Sequence, residues 1–199
     1  MTWLIVAIIA YVVMAAVNVA DKFVLEHVVS GPRTYTFLVG VSGAAVIVLA
    51  PWFLQWPGLG LFLFDVLVGS FFAAGIFFLY SALKGHDASQ IFTLVGGTVP
   101  IFTSIVSIIF FKEIFSTNQW LAISYLILGT MIISAISPRH SIWYEVKHFL
   151  HIDFDKKWHS ILFSFISALF FALFWFGSKV AYNGQEFLSA FIWIRLGTV

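Results

Sequence analysis

Arg195 is the residue of this chain whose position points most directly to chemistry. It lies eight residues after Phe187, where the last apolar run begins, which is about 12 Å at the helical rise. An arginine this deep in a bilayer costs roughly 2.5–3.5 kcal/mol on insertion scales, so it should face a helix bundle or a wet cavity. There its cation would meet an anionic solute group such as a carboxylate. The structural alternative is a tie to backbone carbonyls or to a partner carboxylate.

Further polar residues cluster near the ends of apolar runs. Asn18, Asp21 and Lys22 share one helical face near the end of the first run, and Lys179 holds the equivalent place in a later run. Snorkelling toward the headgroups or capping explains such residues, and a gate or coupling-ion site is the functional alternative. Asn18, one turn deeper, is the pocket candidate among them. Glu113, where the fourth run ends, is either an interfacial contact or, if buried, a proton-coupling group.

The fourth apolar run contains residues that interrupt a regular helix. Gly96, Gly97 and Pro100 weaken its backbone ladder, because proline removes one donor and clashes with the preceding turn. In membrane transporters such breaks free backbone groups beside a substrate path, which Thr98 and Thr103 would line here. Close helix packing is the alternative, since glycine and proline are frequent in membrane helices.

The remaining side chains give weaker indications. Tyr80 and Trp175 are candidates for a pocket lining, although most aromatic residues here should face lipid or pack between helices. The six histidines lie in links or at run ends without the converging spacing of a metal site, so neither a metal nor a cofactor is predicted. An enzyme is not expected either, because no catalytic constellation of His, Asp, Glu or Ser falls inside the apolar runs.

Long apolar helices must position these residues. Hydrophobic residues make up 61% of the chain and charged residues 10%, whereas about a quarter of a soluble domain is charged. Because a bilayer-spanning helix needs roughly 20 apolar residues and its backbone must bond internally, the sequence predicts an all-α integral membrane protein. The expected spans are Thr2–Leu25, Arg33–Leu54, Phe64–Leu83, Ala88–Phe111, Gln119–Ser137, Trp158–Tyr182 and a seventh from Phe187.

Charge and cysteine content set further limits. A formal net charge of +1 predicts no nucleic-acid partner, and the absence of cysteine excludes disulfides and thiolate metal sites. The first run is too long for a signal core and follows no Lys or Arg, so it should be a retained span. Seven Lys and Arg residues fall in links on one side and two on the other, which places the N-terminus outside by the positive-inside rule.

The chain also begins to repeat itself. Lys22 and Gly40 return as Lys179 and Gly197 at one offset of 157 residues, within matching layouts of apolar run, polar link and apolar run. The expected organisation is a five-span repeat over 1–137, a link over 138–157 and an incomplete second repeat over 158–199. Apolar residues at helical spacing in the link indicate an interfacial helix, with a solvated linker as the alternative.

Several short motifs between spans 3 and 5 resemble the EamA domain of the drug/metabolite transporter superfamily. They are Tyr80-Ser-Ala-Leu-Lys84, Ala88-Ser89-Gln90, Gly96-Gly-Thr-Val-Pro100, Phe111-Lys-Glu113 and Gly129. The resemblance implies two five-helix repeats in inverted orientation, with an arginine recurring in the second span of a repeat, as Arg195 does. It also implies cytoplasmic termini, in disagreement with the charge count.

The expected function is therefore transport of small metabolites, such as amino-acid-like solutes, across the cell membrane in either direction. One repeat would rock against the other around a midplane cavity lined by spans 1, 3, 4 and 6 with Arg195. The expected partners are a small solute and the lipid bilayer, with a homo-oligomer left open. A non-transporting scaffold or accessory subunit is the alternative if the chain naturally stops at Val199, because half a second repeat cannot close a pathway.

Overall fold

Helices joined by short links make up the part of the chain that the structure describes. This computed structural model describes residues 2–29, 31–84, 88–112, 114–135 and 154–199, and no strand occurs among them. In chain order the elements are α1 (Thr2–His27), α2 (Pro32–Ala44), a 3₁₀ helix (Ala45–Leu49), α3 (Ala50–Phe53), α4 (Leu59–Leu83), α5 (Ala88–Phe111), α6 (Thr117–Ala135), α7 (Phe154–Gly184) and α8 (Phe187–Leu196).

The lengths of these helices confirm the predicted all-α membrane class. Five candidate membrane spans occur in the described residues, each with a mean hydropathy of 2.0 or more. They are Leu4–Leu25, Pro32–Phe53, Leu59–Leu83, Ala88–Phe111 and Trp158–Gly184. The protein is thus a multi-pass membrane protein. The expected interfacial helix falls mainly on residues outside those that the structure describes.

The second span is helical from Pro32 to Phe53, as the sequence predicts, but its α-helix changes to a 3₁₀ helix near the end. Regular α-helix ends at Ala44, and a 3₁₀ segment leads to the short α3. Pro51 accounts for the 3₁₀ segment, because it has no N–H to bond to Ile47 and its ring clashes with an α-helical preceding turn. The Ile47 carbonyl instead accepts the N–H of Ala50, which tightens the turn.

The packing of α7 along α4 forms the centre of the bundle. Ser160 donates to the Ala82 carbonyl at 2.7 Å, and Ser167 donates to the Gly75 carbonyl at 2.8 Å. Residue numbers rise along α7 as they fall along α4, so the two helices are antiparallel. Both serines are buried. These hydroxyl-to-carbonyl bonds bring the two backbones close and satisfy the buried hydroxyls of Ser160 and Ser167.

Glycines bring α8 into backbone contact with α4 and α2. A Cβ on Gly69 would lie 2.2 Å from the carbonyl oxygen of Ile194, and one on Gly40 would lie 2.7 Å from that of Thr198. Gly197 approaches the backbone of Val66 just as closely. Only glycine allows these contacts, so Gly69 of α4, Gly40 of α2 and Gly197 together fix where the short α8 lies.

The first helix lies at the edge of the described bundle. Leu25 is the one described side chain of α1 that is buried, and the apolar side chains before it are mostly exposed. Lys22 near the end of α1 donates to the carbonyl of Leu83, the last residue of α4. The C-terminal ends of α1 and α4 therefore lie together, at the end where α7 brings Ser160 against Ala82.

Candidate functional site

Three side chains from three helices meet at the C-terminal end of α4. Tyr35 of α2 donates to Asp21 Oδ1 at 2.5 Å, and Tyr80 of α4 donates to Asp21 Oδ2 at 2.9 Å. The two tyrosine rings are in edge-to-face contact, with centroids 4.6 Å apart, and both are buried. Each carboxylate oxygen thus has its own hydroxyl donor. This Asp21 cluster joins α1, α2 and α4 at one end of the bundle.

Lys22 stands beside the Asp21 cluster on α1. Its Nζ donates to the Leu83 carbonyl at 2.8 Å, which is one of the carbonyls that have no partner within α4 because the helix ends there. The lysine is half-buried. Asp21 and Lys22 are therefore both bonded to α4, Asp21 to the side chain of Tyr80 and Lys22 to the backbone carbonyl of Leu83.

Arg195 lies deep in the bundle, against the middle of α4. Its guanidinium stacks over the ring of Phe72, close to the midpoint of α4, at 4.7 Å, and over Phe191 at 5.2 Å. The side chain also passes Gly43 of α2, where a Cβ would lie 3.7 Å from Arg195 Cδ. No carboxylate of the described residues forms an ion pair with it. Aromatic faces stabilise the charge but leave its five N–H donors available.

A second polar group joins α8 to the link between α3 and α4. The backbone N–H of Gln55 donates to Ser189 Oγ, and the Gln55 carbonyl accepts from Ser189 and from the indole of Trp193. The Gln55 side chain donates to Glu186 at 2.8 Å. These four residues, Gln55, Glu186, Ser189 and Trp193, form the Gln55 clasp. It lies at the N-terminal end of α4, opposite the Asp21 cluster.

A buried carboxylate lies close to the Gln55 clasp. Asp65 of α4 is fully buried, and the amide nitrogen of Gln185 donates to both of its oxygens at 3.1 and 2.9 Å. Gln185 belongs to the short link between α7 and α8, next to Glu186. The α7–α8 link is thereby tied to α4 through Asp65 and to the α3–α4 link through Glu186.

The polar candidates on α5 bond within their own helix. Thr98 donates to the Leu94 carbonyl and Thr103 to the Val99 carbonyl, so neither hydroxyl reaches another helix. α5 continues through Pro100 as one helix over Ala88–Phe111. Pro100 deprives the Gly96 carbonyl of its usual donor, and a Cβ on Gly96 would meet nothing within 4 Å. Gly96 thus lies on an open face of α5.

The remaining sequence candidates lie apart from one another. Asn18 is half-buried on α1, a turn before the Asp21 cluster, whereas Trp175 on α7 is 56% exposed. Lys179 lies near the opposite end of α7 from Ser160, with its Nζ 4.5 Å from the centroid of the Phe111 ring. Glu113 lies outside the described residues.

The structure therefore joins some candidates and separates others. Asp21 and Tyr80 are in direct contact, while Arg195 lies near the midpoint of α4 and away from both ends. Sequence reasoning missed Tyr35, Asp65 and the Gln55 clasp. For Asp65 a signal existed, because it is one acidic residue between two long uncharged runs. No pattern of sequence spacing predicts the contact of Tyr35 with Asp21 or the contacts within the Gln55 clasp.

The fold defines the protein as a multi-pass membrane helix bundle. Polar groups lie at both ends of this bundle, and a cation lies near its middle. Residues 1–135 match the EamA-like transporter family. Because this match covers more than half of the 199 residues, the chain belongs to that family. No curated protein and no solved structure matches the chain. Family membership makes the chain part of a transporter family for small solutes.

Proposed function

We propose that the protein moves small organic solutes carrying an anionic group across the cell membrane by alternating access, with Arg195 as the group that binds the anion. The position of Arg195 carries this proposal. A guanidinium held over Phe72 at mid-depth, with no described carboxylate to neutralise it, is suited to a solute carboxylate. Such a pair is bidentate and charge-assisted, which makes it stronger than a neutral hydrogen bond.

The two ends of α4 supply closures for an alternating-access cycle. The Asp21 cluster joins helices at one end and the Gln55 clasp does so at the other. A solute path that is open to one side at a time requires one closure to break while the other persists. Both closures consist of hydrogen bonds near a membrane boundary, where water can replace the lost partners.

An inverted repeat is the architecture we propose for the chain, with one copy over 1–137 and the start of another over 158–199. In support, the end of α1 and the beginning of α7 lie at the same end of α4, so these sequence-matched helices run in opposite directions. Lys22 and Lys179, which share the 157-residue offset, accordingly lie toward opposite ends of the bundle. An odd number of spans in the first repeat produces this reversal.

A solute-export and uptake screen in cells expressing the gene tests transport, with Arg195→Ala as the first variant. We expect this variant to reach the membrane and to lose solute-dependent flux, because the anion has lost its cation. Arg33→Ala removes the same charge from an exposed position at the start of α2 and should leave flux unchanged. Equal flux in Arg195→Ala and wild type would remove Arg195 from the site.

A further inference from the structure

Asp65 is the one fully buried carboxylate among the described residues, and the solute path proposed above does not use it. It lies six residues after Leu59, about 9 Å into a candidate membrane span. An ionised carboxylate in a low-dielectric interior is costly unless a cation or several donors compensate it. Here the Gln185 amide is the donor to both oxygens. Binding a proton would remove that cost, because it neutralises the Asp65 carboxylate.

The charged and titratable groups around Asp65 do not neutralise it. Tyr182 of α7 interacts electrostatically with Asp65 and with Arg195, but a neutral phenol brings no positive charge. Arg195 of α8 directs its guanidinium at Phe72 and Phe191 instead of the carboxylate. Glu186 in the adjacent link carries a negative charge and accepts from Gln55. No cation of the described residues pairs with Asp65.

Gln185 has a second polar atom that is unused in this arrangement. Its Oε1 is buried and has no hydrogen-bond partner among the described residues. An ionised carboxylate only accepts, so the amide must present its NH₂ group to Asp65 and leave Oε1 idle. A protonated Asp65 gains one O–H donor. Rotation of the amide would then let Oε1 accept that hydrogen, so Gln185 has a distinct partner arrangement for each protonation state.

We propose that Asp65 is a proton-binding site whose occupancy is read by Gln185 and passed to the Gln55 clasp. The carboxylate takes one proton from water at the N-terminal end of α4, forming one O–H bond, and returns it when the site opens. Gln185 adjoins Glu186, so a change in the Gln185 amide strains the bond between Glu186 and Gln55. Protonation would loosen the clasp and open that end of the bundle.

This proposal rests on the proposed transport function in one respect only, which is that proton binding would drive or regulate transport. Proton binding and the response of the clasp are both measurable without any solute. A chain that transports nothing would therefore still reveal whether Asp65 titrates, and a chain in which Asp65 does not titrate could still transport a solute. The two failures are distinguishable.

The test is an infrared pH titration of the purified chain in lipid nanodiscs, read at the carbonyl stretch of protonated carboxyl groups. We expect the wild type to gain, as the pH falls, a component that is lost in Asp65→Asn and kept in Asp21→Asn, the matched control on α1. Gln185→Met should shift the frequency of that component, because the O–H has lost its acceptor. Identical spectra for wild type and Asp65→Asn at every pH would overturn the proposal.

A second measurement tests whether the Gln55 clasp opens when the pH falls. Ser189 is buried within it and the chain has no cysteine, so Ser189→Cys introduces a single reporter thiol. Its labelling by a water-soluble thiol reagent should become faster as the pH falls, relative to that of a separate variant with one exposed reporter cysteine. Adding Asp65→Asn should abolish that pH dependence. A relative rate that changes with pH equally in both backgrounds would show that Asp65 does not control the clasp.

Discussion

The helix pairs α1–α2 and α7–α8 share the 157-residue sequence offset but attach to α4 in different ways. α7 and the link after it contact α4 from Ser160 at one end to Gln185 at the other. The described hydrogen bonds that join α1 to other helices all lie near its C-terminal end, at Asp21 and Lys22. A helix bonded along its length moves with its neighbour, whereas a helix bonded at one end can swing about that end.

This difference indicates which helices can move at a low cost in free energy. Separating α7 from α4 would break two buried serine bonds and expose their carbonyl acceptors to lipid. Moving α1 exposes little that is not already exposed, since Leu25 is its one buried side chain in the described residues. A rocking cycle would therefore use α4 and α7 as the fulcrum and α1 as the moving part.

The two pairs also place their charges differently. Ser178 stands at the position in α7 that corresponds to Asp21 in α1, and Leu38 stands where α8 has Arg195. The first pair thus carries a carboxylate at its end, and the second carries a cation at mid-depth. If the proposed repeat holds, the two copies keep a shared layout of spans while their charged residues differ.

The largest effect should come from the contact between α4 and α8. Gly69→Ala places a Cβ 2.2 Å from the Ile194 carbonyl, so backbone must shift, and overpacking of this kind costs about 3 kcal/mol. Gly96→Ala is the matched control, because a Cβ there meets nothing within 4 Å. Reversible unfolding in mixed micelles should show a loss for Gly69→Ala alone. Equal stability of both variants would mean that α8 does not pack on Gly69.

A smaller effect should follow from releasing α1. Tyr80→Phe removes one of the two hydroxyl donors to Asp21, and a hydrogen bond to a charged group contributes about 1.5 kcal/mol. Tyr11→Phe, at a position of α1 that is 73% exposed, should leave stability unchanged. Hydrogen exchange should become faster in the last turns of α1 and remain unchanged in α7. Faster exchange across α7 instead would contradict the one-ended attachment of α1.

The fold followed from the sequence wherever uncharged runs end at turn residues. The expected bounds of α5, Ala88–Phe111, are those of the structure, and α8 begins at Phe187 as expected. α4 begins at Leu59, five residues earlier than expected, because Gly58 takes the turn conformation with φ 90° and Gly60 joins the helix. Glycine is compatible with both a turn and a helix, so the residue types alone do not define where α4 begins.

The candidate site was less predictable, because it depends on which helix faces meet. Asp21 and Tyr80 were both candidates, but 59 residues separate them and only the packing of α1 on α4 brings them together. Gln55 bonds to Ser189 and Trp193 of α8 across more than 130 residues. Local periodicity carries no information on such pairings. Arg195 was a candidate from sequence alone, because a charge within an apolar run is costly in a membrane whichever helices it meets.

Solvent access at position 195 tests the central claim most directly. Because the chain has no cysteine, Arg195→Cys and Leu128→Cys each carry one thiol, the latter on an exposed apolar position of α6. Thiolates form and react in water and not in hydrocarbon. We predict that a water-soluble thiol reagent labels Arg195→Cys in intact membranes and leaves Leu128→Cys unlabelled. An unreactive cysteine at 195 would place that side chain outside any aqueous path and contradict its role in binding a solute.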